Sequence, residues 1–514
     1  MQLYPDDSSV RRGHPILATR RTGVWIAMRD VLARYWVVAN IACLTVFFSW
    51  VYAGMSPGYL LSVPWLSLAV LEMALFLPPT RKDETLEIAR RRVWRSVVRD
   101  PLLYIGCVLC LYLLFQCLNG GRKLEFDPAS DTWAFASSQL GWGPFCVEQA
   151  AASQLLYWFP PALAVLLGVR HGTNRIGKLM LLRILVVNGA LLGLFGLIQT
   201  GLGASHLFGM TPLPEPFFAT FSDTNQAGAF FILLSAMALG LFLQALLTKK
   251  EHPHAIWLGA ALALNLTGAF YSLSRAAILV ALLLIVAGGV YALRYAWRLV
   301  DMGVRVKALA IFVLLLFFGT ALLIFGPSDN PVLRELRAVP WDRFGEETFG
   351  ARWQQWSSAW NIWLKHPWFG VGGYGYRHFV CLELDDGARA LLHRGGVNVH
   401  NDALQFLVEH GLVGFGLMLG SVAVLLAPVV RRLRVAHTTN LDGWTGEPWL
   451  IFRVSPATIM LLAGTAMVFL MSLIDLPFRS PAILVTWGIA LCCAPVFLPA
   501  AKRGLAAVKT GATG

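Results

Sequence analysis

About twelve apolar segments, each long enough to cross a lipid bilayer, constrain this 514-residue chain more than any other feature. They lie near 35–54, 59–78, 101–118, 151–169, 179–202, 225–247, 255–273, 276–297, 308–326, 411–430, 456–474 and 482–498. A bilayer core needs roughly 20 consecutive apolar residues to be spanned by a helix. Composition agrees with that reading: 57% of residues are hydrophobic and only 14% charged, where soluble domains carry roughly a quarter. A soluble enzyme, a disordered chain and a disulfide scaffold are thereby excluded. The expected fold class is an all-α polytopic membrane protein of about 12 transmembrane helices. The tight pair around Ser274-Arg275 is the least secure division, because one bent helix would give the same pattern.

Charge sets the orientation. The net charge is +13, and an excess of Lys and Arg collects in cytoplasmic loops under the positive-inside rule, so nucleic acid is not implied. With both termini cytoplasmic, 29 Lys and Arg fall inside and 12 outside, eight of these in one long loop. Long loops escape the rule. The segment Arg81–Arg99, with Arg90-Arg91-Arg92, reads as a basic helix on the cytoplasmic membrane surface, a topology determinant before a specific lipid site. Arg11, Arg12, Arg20, Arg21, Asp30 and Arg34 interrupt the N-terminus before any apolar run. No cleavable signal is therefore expected, and the first span serves as an uncleaved anchor.

These assignments divide the chain into a cytoplasmic segment 1–34, helices one to nine over 35–326, a long outside loop 327–410, helices ten to twelve over 411–498, and a tail 499–514. Most of the eight cysteines lie in apolar stretches, where a thiol acts as a small hydrophobe. Cys146 and Cys381 face outside, and nothing demands that they pair.

The long loop is the informative region. It holds five of the eleven histidines and six of the nineteen tryptophans, a composition too aromatic for disorder. Over Thr348–Lys365, Trp353, Trp356, Trp360 and Trp363 recur at spacings of three and four, which puts them on one helical face. An interfacial helix at headgroup level accounts for such a stripe; stacking on a sugar ring is the alternative. Next come Pro367-Trp368-Phe369-Gly370-Val371-Gly372-Gly373-Tyr374-Gly375, whose glycines permit close backbone approach. This is no P-loop, since the Lys-Ser/Thr that should follow is missing. The loop closes on Val399-His400-Asn401-Asp402, with Asn401 or Asp402 placed to cap a helix. No Cys/His spacing suits zinc, so no metal and no cofactor are expected. His400 reads either as a plain surface histidine or as a general base.

The order of motifs resembles a known family. Phe221-Ser222-Asp223-Thr224-Asn225-Gln226-Ala227-Gly228 is followed by Ser272-Leu273-Ser274-Arg275, Gly350-Ala351-Arg352-Trp353 and Pro367-Trp368-Phe369-Gly370. His400-Asn401 and the closing Asp475-Leu476-Pro477 complete the series. Together they are similar to the O-antigen ligase and O-antigen polymerase superfamily, over about residues 220–480. The resemblance implies a GT-C-like arrangement with one long helical periplasmic loop in the bacterial inner membrane. It implies a metal-independent inverting glycosyltransferase whose donor is a glycan on undecaprenyl pyrophosphate. The acceptor is the lipid A core for a ligase and a lipid-linked glycan for a polymerase, with membrane lipids as surroundings. It further implies His400 as base and Arg352 and Arg275 as pyrophosphate ligands.

The residue chemistry is compatible with those roles. A charge at a helix centre costs about 2.5–3.5 kcal/mol on insertion scales, so a guanidinium at Arg275 calls for an anion or must snorkel to the headgroups. Arg352 has Glu346 and Glu347 as rival ion-pair partners, and Arg334, Arg337, Arg343 and Arg377 are equally suited to phosphate. Asn225 and Asn401 are candidates to contact sugar or headgroup, although capping its helix is the plainer role for Asn225. Asp402, Glu409 and Asp223 are rival bases. A transporter would place ionisable groups near the midplane and show repeated halves. Here Glu72 is the one acidic residue deep in a predicted span, Arg183 is the corresponding cation, and no repeat is visible. That favours an enzyme over a transporter or a scaffolding component of an export assembly.

Overall fold

The computed structural model describes residues 35–51, 62–81, 84–122, 124–128, 131–135, 137–209, 211–212, 216–247, 252–299, 331–337, 344–383, 398–438 and 454–498. Helices dominate: α1 Tyr35–Trp50, α2 Ser62–Phe76, α3 Leu86–Val98, α4 Pro101–Leu118, α5 Gln149–Ser153, α6 Phe159–His171, α7 Arg175–Gly201 and α8 Thr224–Leu247. They continue as α9 Ala255–Tyr271, α10 Arg275–Leu299, α11 Pro331–Arg337, α12 Phe344–Lys365, α13 Tyr376–Glu383, α14 Asp402–Thr438, α15 Pro456–Ser472 and α16 Pro481–Cys493. Five helical stretches are long and apolar enough to cross a membrane, and six shorter apolar helices accompany them among the described residues. The chain is thus a multi-pass membrane protein. The expected ninth span, 308–326, lies outside the described residues, as does Arg343.

The fold is mostly helical, consistent with the expected all-α class, and two short hairpins accompany the helices: β1 Leu124–Asp127 pairs antiparallel with β2 Thr132–Phe135, and β3 His206–Leu207 with β4 Thr211–Pro212. The segment 151–169 is broken into α5, a tight turn at Gln154–Tyr157, and α6. Pro160 and Pro161 lack the N–H that would extend the α5 ladder, and they are suited to open α6. The expected division at Ser274-Arg275 holds: two helices meet there, because Leu273 turns the chain at φ 60.

α8 sits at the centre, enclosed by α7, α9, α10 and α15. Phe230, Phe231, Leu234 and Met237 are fully buried there, each contributing about 1.5–3 kcal/mol of burial. One pole of the bundle gathers the ends of α4, α7, α9 and α15 with the start of α14. The opposite pole carries α3, where Ala89, Val93 and Val97 are buried and the two valines pack on Leu71, Leu75 and Leu103, while Glu87 and Glu84 pair with Arg91 and Arg92. This gives physical form to the basic helix expected over Arg81–Arg99.

At the first pole a small lobe has its own core of Phe145, Ala359, Ile362, Val371, Tyr376, Phe379 and Val408. The tryptophan stripe splits there. Trp356 and Trp363 pack on this core, whereas Trp353 is 67% and Trp360 48% exposed. Besides the Val408 side chain, backbone hydrogen bonds clasp the lobe to α14. Val371 N donates to Val408 O at 3.0 Å, Gly372 N to Glu409 O at 2.8 Å and Leu412 N to Pro367 O at 2.8 Å. A Cβ at Gly411 (φ 62) would lie 2.3 Å from the Trp368 carbonyl, and one at Gly370 (φ 67) 2.5 Å from the Glu409 carbonyl carbon. Only glycine fits both. The cysteines are free, Cys146 buried and Cys381 exposed.

Candidate functional site

Two turns bring the site together. In Ser272-Leu273-Ser274-Arg275, Ser274 Oγ accepts from Ala277 N at 3.3 Å to start α10 and donates to Asn225 Oδ1 at 2.7 Å. Asn225 is free for this because Asp223 does the capping of α8: its Oδ1 accepts from Asn225 N at 2.8 Å and Gln226 N at 3.0 Å. The plainer role expected of Asn225 is therefore Asp223's. Asn225 Nδ2 in turn donates to Asp475 Oδ2.

The second turn carries His400 at φ 51, a conformation costing about 1–3 kcal/mol for a residue with a side chain. Neighbouring contacts enforce it. Val399 is fully buried and its N–H donates to Gln405 Oε1 at 2.7 Å. Asn401 Oδ1 accepts from Leu404 N at 3.0 Å as the cap of α14. Asp402 N donates to Asp475 O at 3.2 Å, and Asp402 Oδ2 accepts from Phe478 N at 3.0 Å. The segments 399–402 and 475–478 are thereby stitched together, which sets His400 Nδ1 3.2 Å from Asp475 Oδ1. Asp475 Oδ1 also accepts from Leu476 N at 2.9 Å, and Arg352 Nη2 lies 3.9 Å from Asp475 Oδ2.

Asp475 is thus the hub, touching groups from α8, α12 and the His400 turn. With its Nδ1–H directed at a carboxylate, an imidazole presents Nε2 as a proton acceptor. The His400 side chain is 32% exposed. The rival bases are engaged elsewhere. Asp223 is committed to its cap, and burial pushes its carboxyl up, with the Asp475 charge adding to the shift against the two backbone donors. Glu409 is held by Gln405 Nε2 and by Arg479 Nη2 at 3.5 Å.

The other expected residues fall at varied places. Arg275 is not unpaired: its Nε donates to Glu335 Oε1 at 2.7 Å. Arg377 pairs with Glu148 and belongs to the lobe, not to the His400 cluster. Asn401 is a helix cap. Two residues escaped assignment. Asp475 was legible only as part of a closing motif, although a carboxylate at the end of a span is costly enough to signal a partner. Arg479 donates to Asn398 Oδ1 at 2.7 Å and lies 4.7 Å from the Tyr374 ring centroid.

Beside this cluster an apolar groove of about 200 Å³ runs down the bundle between Trp158, Phe406, Met418, Phe469 and Trp487, with Asp402, Glu409 and Arg479 at its rim. Leu419 and Phe469 on its lip are exposed. A second apolar cavity of about 100 Å³ shares Phe159, Met418, Val422, Leu484 and Trp487 and reaches Leu102 and Leu425. His410 Nε2 and Trp158 Nε1 are buried without a partner among the described residues.

Such a molecule is a helical membrane protein with a histidine–carboxylate–arginine cluster beside an apolar groove. Residues 260–419 match the family model described as O-antigen ligase, and the match supports the O-antigen ligase and polymerase family. The matched stretch is less than a third of the chain; it contains Ser274, Arg275, Arg352 and His400, while Asn225 and Asp475 lie outside it. No curated protein matches the chain.

Proposed function

We propose that the chain is an O-antigen ligase-like membrane glycosyltransferase, moving a glycan from undecaprenyl pyrophosphate to an acceptor hydroxyl on the periplasmic side. The observation that carries this reading is the His400–Asp475 pair beside an apolar groove whose lining includes the neighbouring Asp402 and Phe478. His400 Nε2 takes the proton from the acceptor hydroxyl as its oxygen attacks the anomeric carbon. The bond to the pyrophosphate oxygen breaks, and the diphosphate leaves with the electron pair. Asp475 holds the imidazole in the required tautomer and steadies the imidazolium that forms. Arg352, 25% exposed beside Asp475, answers the charge developing on the departing diphosphate. Arg275 contributes more weakly, since Glu335 already offsets its charge. Diphosphate is a good leaving group, so a second carboxylic acid is not required.

The groove supports a polyprenyl donor. Its apolar walls, from Trp158 and Phe406 to Val422 and Trp487, suit a hydrocarbon tail, and Arg479 beside them suits an anionic headgroup.

The test uses purified full-length protein in nanodiscs with a lipid-linked glycan and separate acceptors. His400→Ala should slow transfer by at least about a hundredfold while folding normally; near-normal transfer by that variant overturns the assignment. In cells lacking the gene, uncapped core with accumulated lipid-linked polymer marks a ligase, and single repeat units mark a polymerase.

A further inference from the structure

A separate cavity of about 590 Å³ opens at the same pole, on the other side of the Ser274–Asn225 link from His400. Gln199, Thr200, Phe217, Thr224, Leu273 and Glu335 line it. Its volume falls in the range of small-molecule sites. Gln199, in the last turn of α7, is 6% exposed, yet neither its Oε1 nor its Nε2 has a hydrogen-bond partner among the described residues. A buried amide left in that state is costly, and natural folds keep such groups where a ligand or water completes them.

The lining states what would complete it. An amide presents one acceptor and two donors side by side, and adjacent sugar hydroxyls each donate and accept. Thr200 and Thr224 add hydroxyls, and the half-buried Phe217 supplies an apolar surface for a ring face. A lipid chain is disfavoured because the lining is as polar as it is apolar. A phosphate is disfavoured because Glu335 neutralises Arg275 at 2.7 Å, and the one cation among the described residues of the lining, Arg334, is exposed and sits beside the Glu335 carboxylate in the same lining. We propose that the Gln199 cavity is a saccharide subsite that takes one neutral pyranose ring of the glycan substrate. The proposal rests on the glycosyl-transfer reading and adds to it a residue that reads the sugar.

The test is saturation-transfer NMR on the full-length protein in nanodiscs with free glucose, galactose, mannose, rhamnose and N-acetylglucosamine. At least one sugar should receive saturation; the signal should fall about fivefold or more in Gln199→Leu and stay unchanged in His400→Ala. Gln199→Leu should also melt at or above the wild-type temperature, because an orphan amide has been replaced by a hydrocarbon; Gln199→Met serves if the leucine variant does not fold. Silence from all five sugars, full signal in the Gln199 variants, or displacement by inorganic phosphate overturns the subsite. Sugar binding that depends on Gln199 in a protein that transfers no glycan would instead sink the enzymatic reading and leave the subsite standing.

Discussion

The two poles of the bundle carry the same three residue types in opposite states. At one, Asp100 is gripped by Arg170 Nε at 2.8 Å and His171 Nε2 at 2.6 Å while its other oxygen caps α4 through Leu102 N at 3.0 Å. Its side chain is 2% exposed, and Arg170 and His171 are 15% and 18% exposed. At the other, Asp475 meets His400 at 3.2 Å and Arg352 at 3.9 Å, with both partners more exposed and His400 in a left-handed turn. A closed, short-bonded set without backbone strain holds helices together. A looser, strained and open one is equipped to act on something else. Composition alone would not have separated them.

Substitutions should divide along the same line. The largest effect expected is on transfer: His400→Ala should lower kcat by about 10²–10⁴-fold, the usual worth of a general base, with little change in melting temperature. His171→Ala should do the reverse, and steady-state kinetics beside thermal unfolding reads both. Next comes Asp100→Ala, which strands Arg170 and should cost about 3–5 kcal/mol of stability while kcat in the surviving protein holds. Asp475→Asn should cut kcat more than KM and shift the acid limb of the pH–rate profile, because the imidazole loses the partner that orients it. Equal changes in kcat and melting temperature would make Asp475 merely structural.

A smaller effect follows from acid. Burial alone would raise the Asp100 carboxyl, but hydrogen bonds from His171 and Leu102 N and the Arg170 charge outweigh it and hold it below its ordinary 3.8. A depressed carboxylate contributes stability that is fully present above its unfolded value and is lost as pH falls through the folded one. Wild-type melting temperature should therefore drop below about pH 4, and Asp100→Asn should flatten that drop. The smallest change expected is in Asn401→Ala, which removes a cap worth about 1 kcal/mol and leaves the sugar-binding signal intact.

The apolar helices were legible because a bilayer demands long apolar runs whatever the tertiary fold. The break inside 151–169 was not, since averaging hydropathy over a window conceals Pro160-Pro161 among apolar neighbours. His400 and Arg352 were visible through motif order. Their meeting with Asp475 was not, because that carboxylate arrives from 75 residues further along, where only packing decides who faces whom. The pairing of Arg275 with Glu335 was hidden for the same reason, and so was the empty-handed amide of Gln199, whose significance depends on what surrounds it.

The glycine clasp between 367–372 and 408–413 has a consequence for the reacting groups. It fastens the chain on both sides of 384–397, so the separation of Arg352 from His400 is set by the clasp and not by the length of sequence between them. The spacing of the reacting groups is thus pinned by two glycines and their close backbone neighbours.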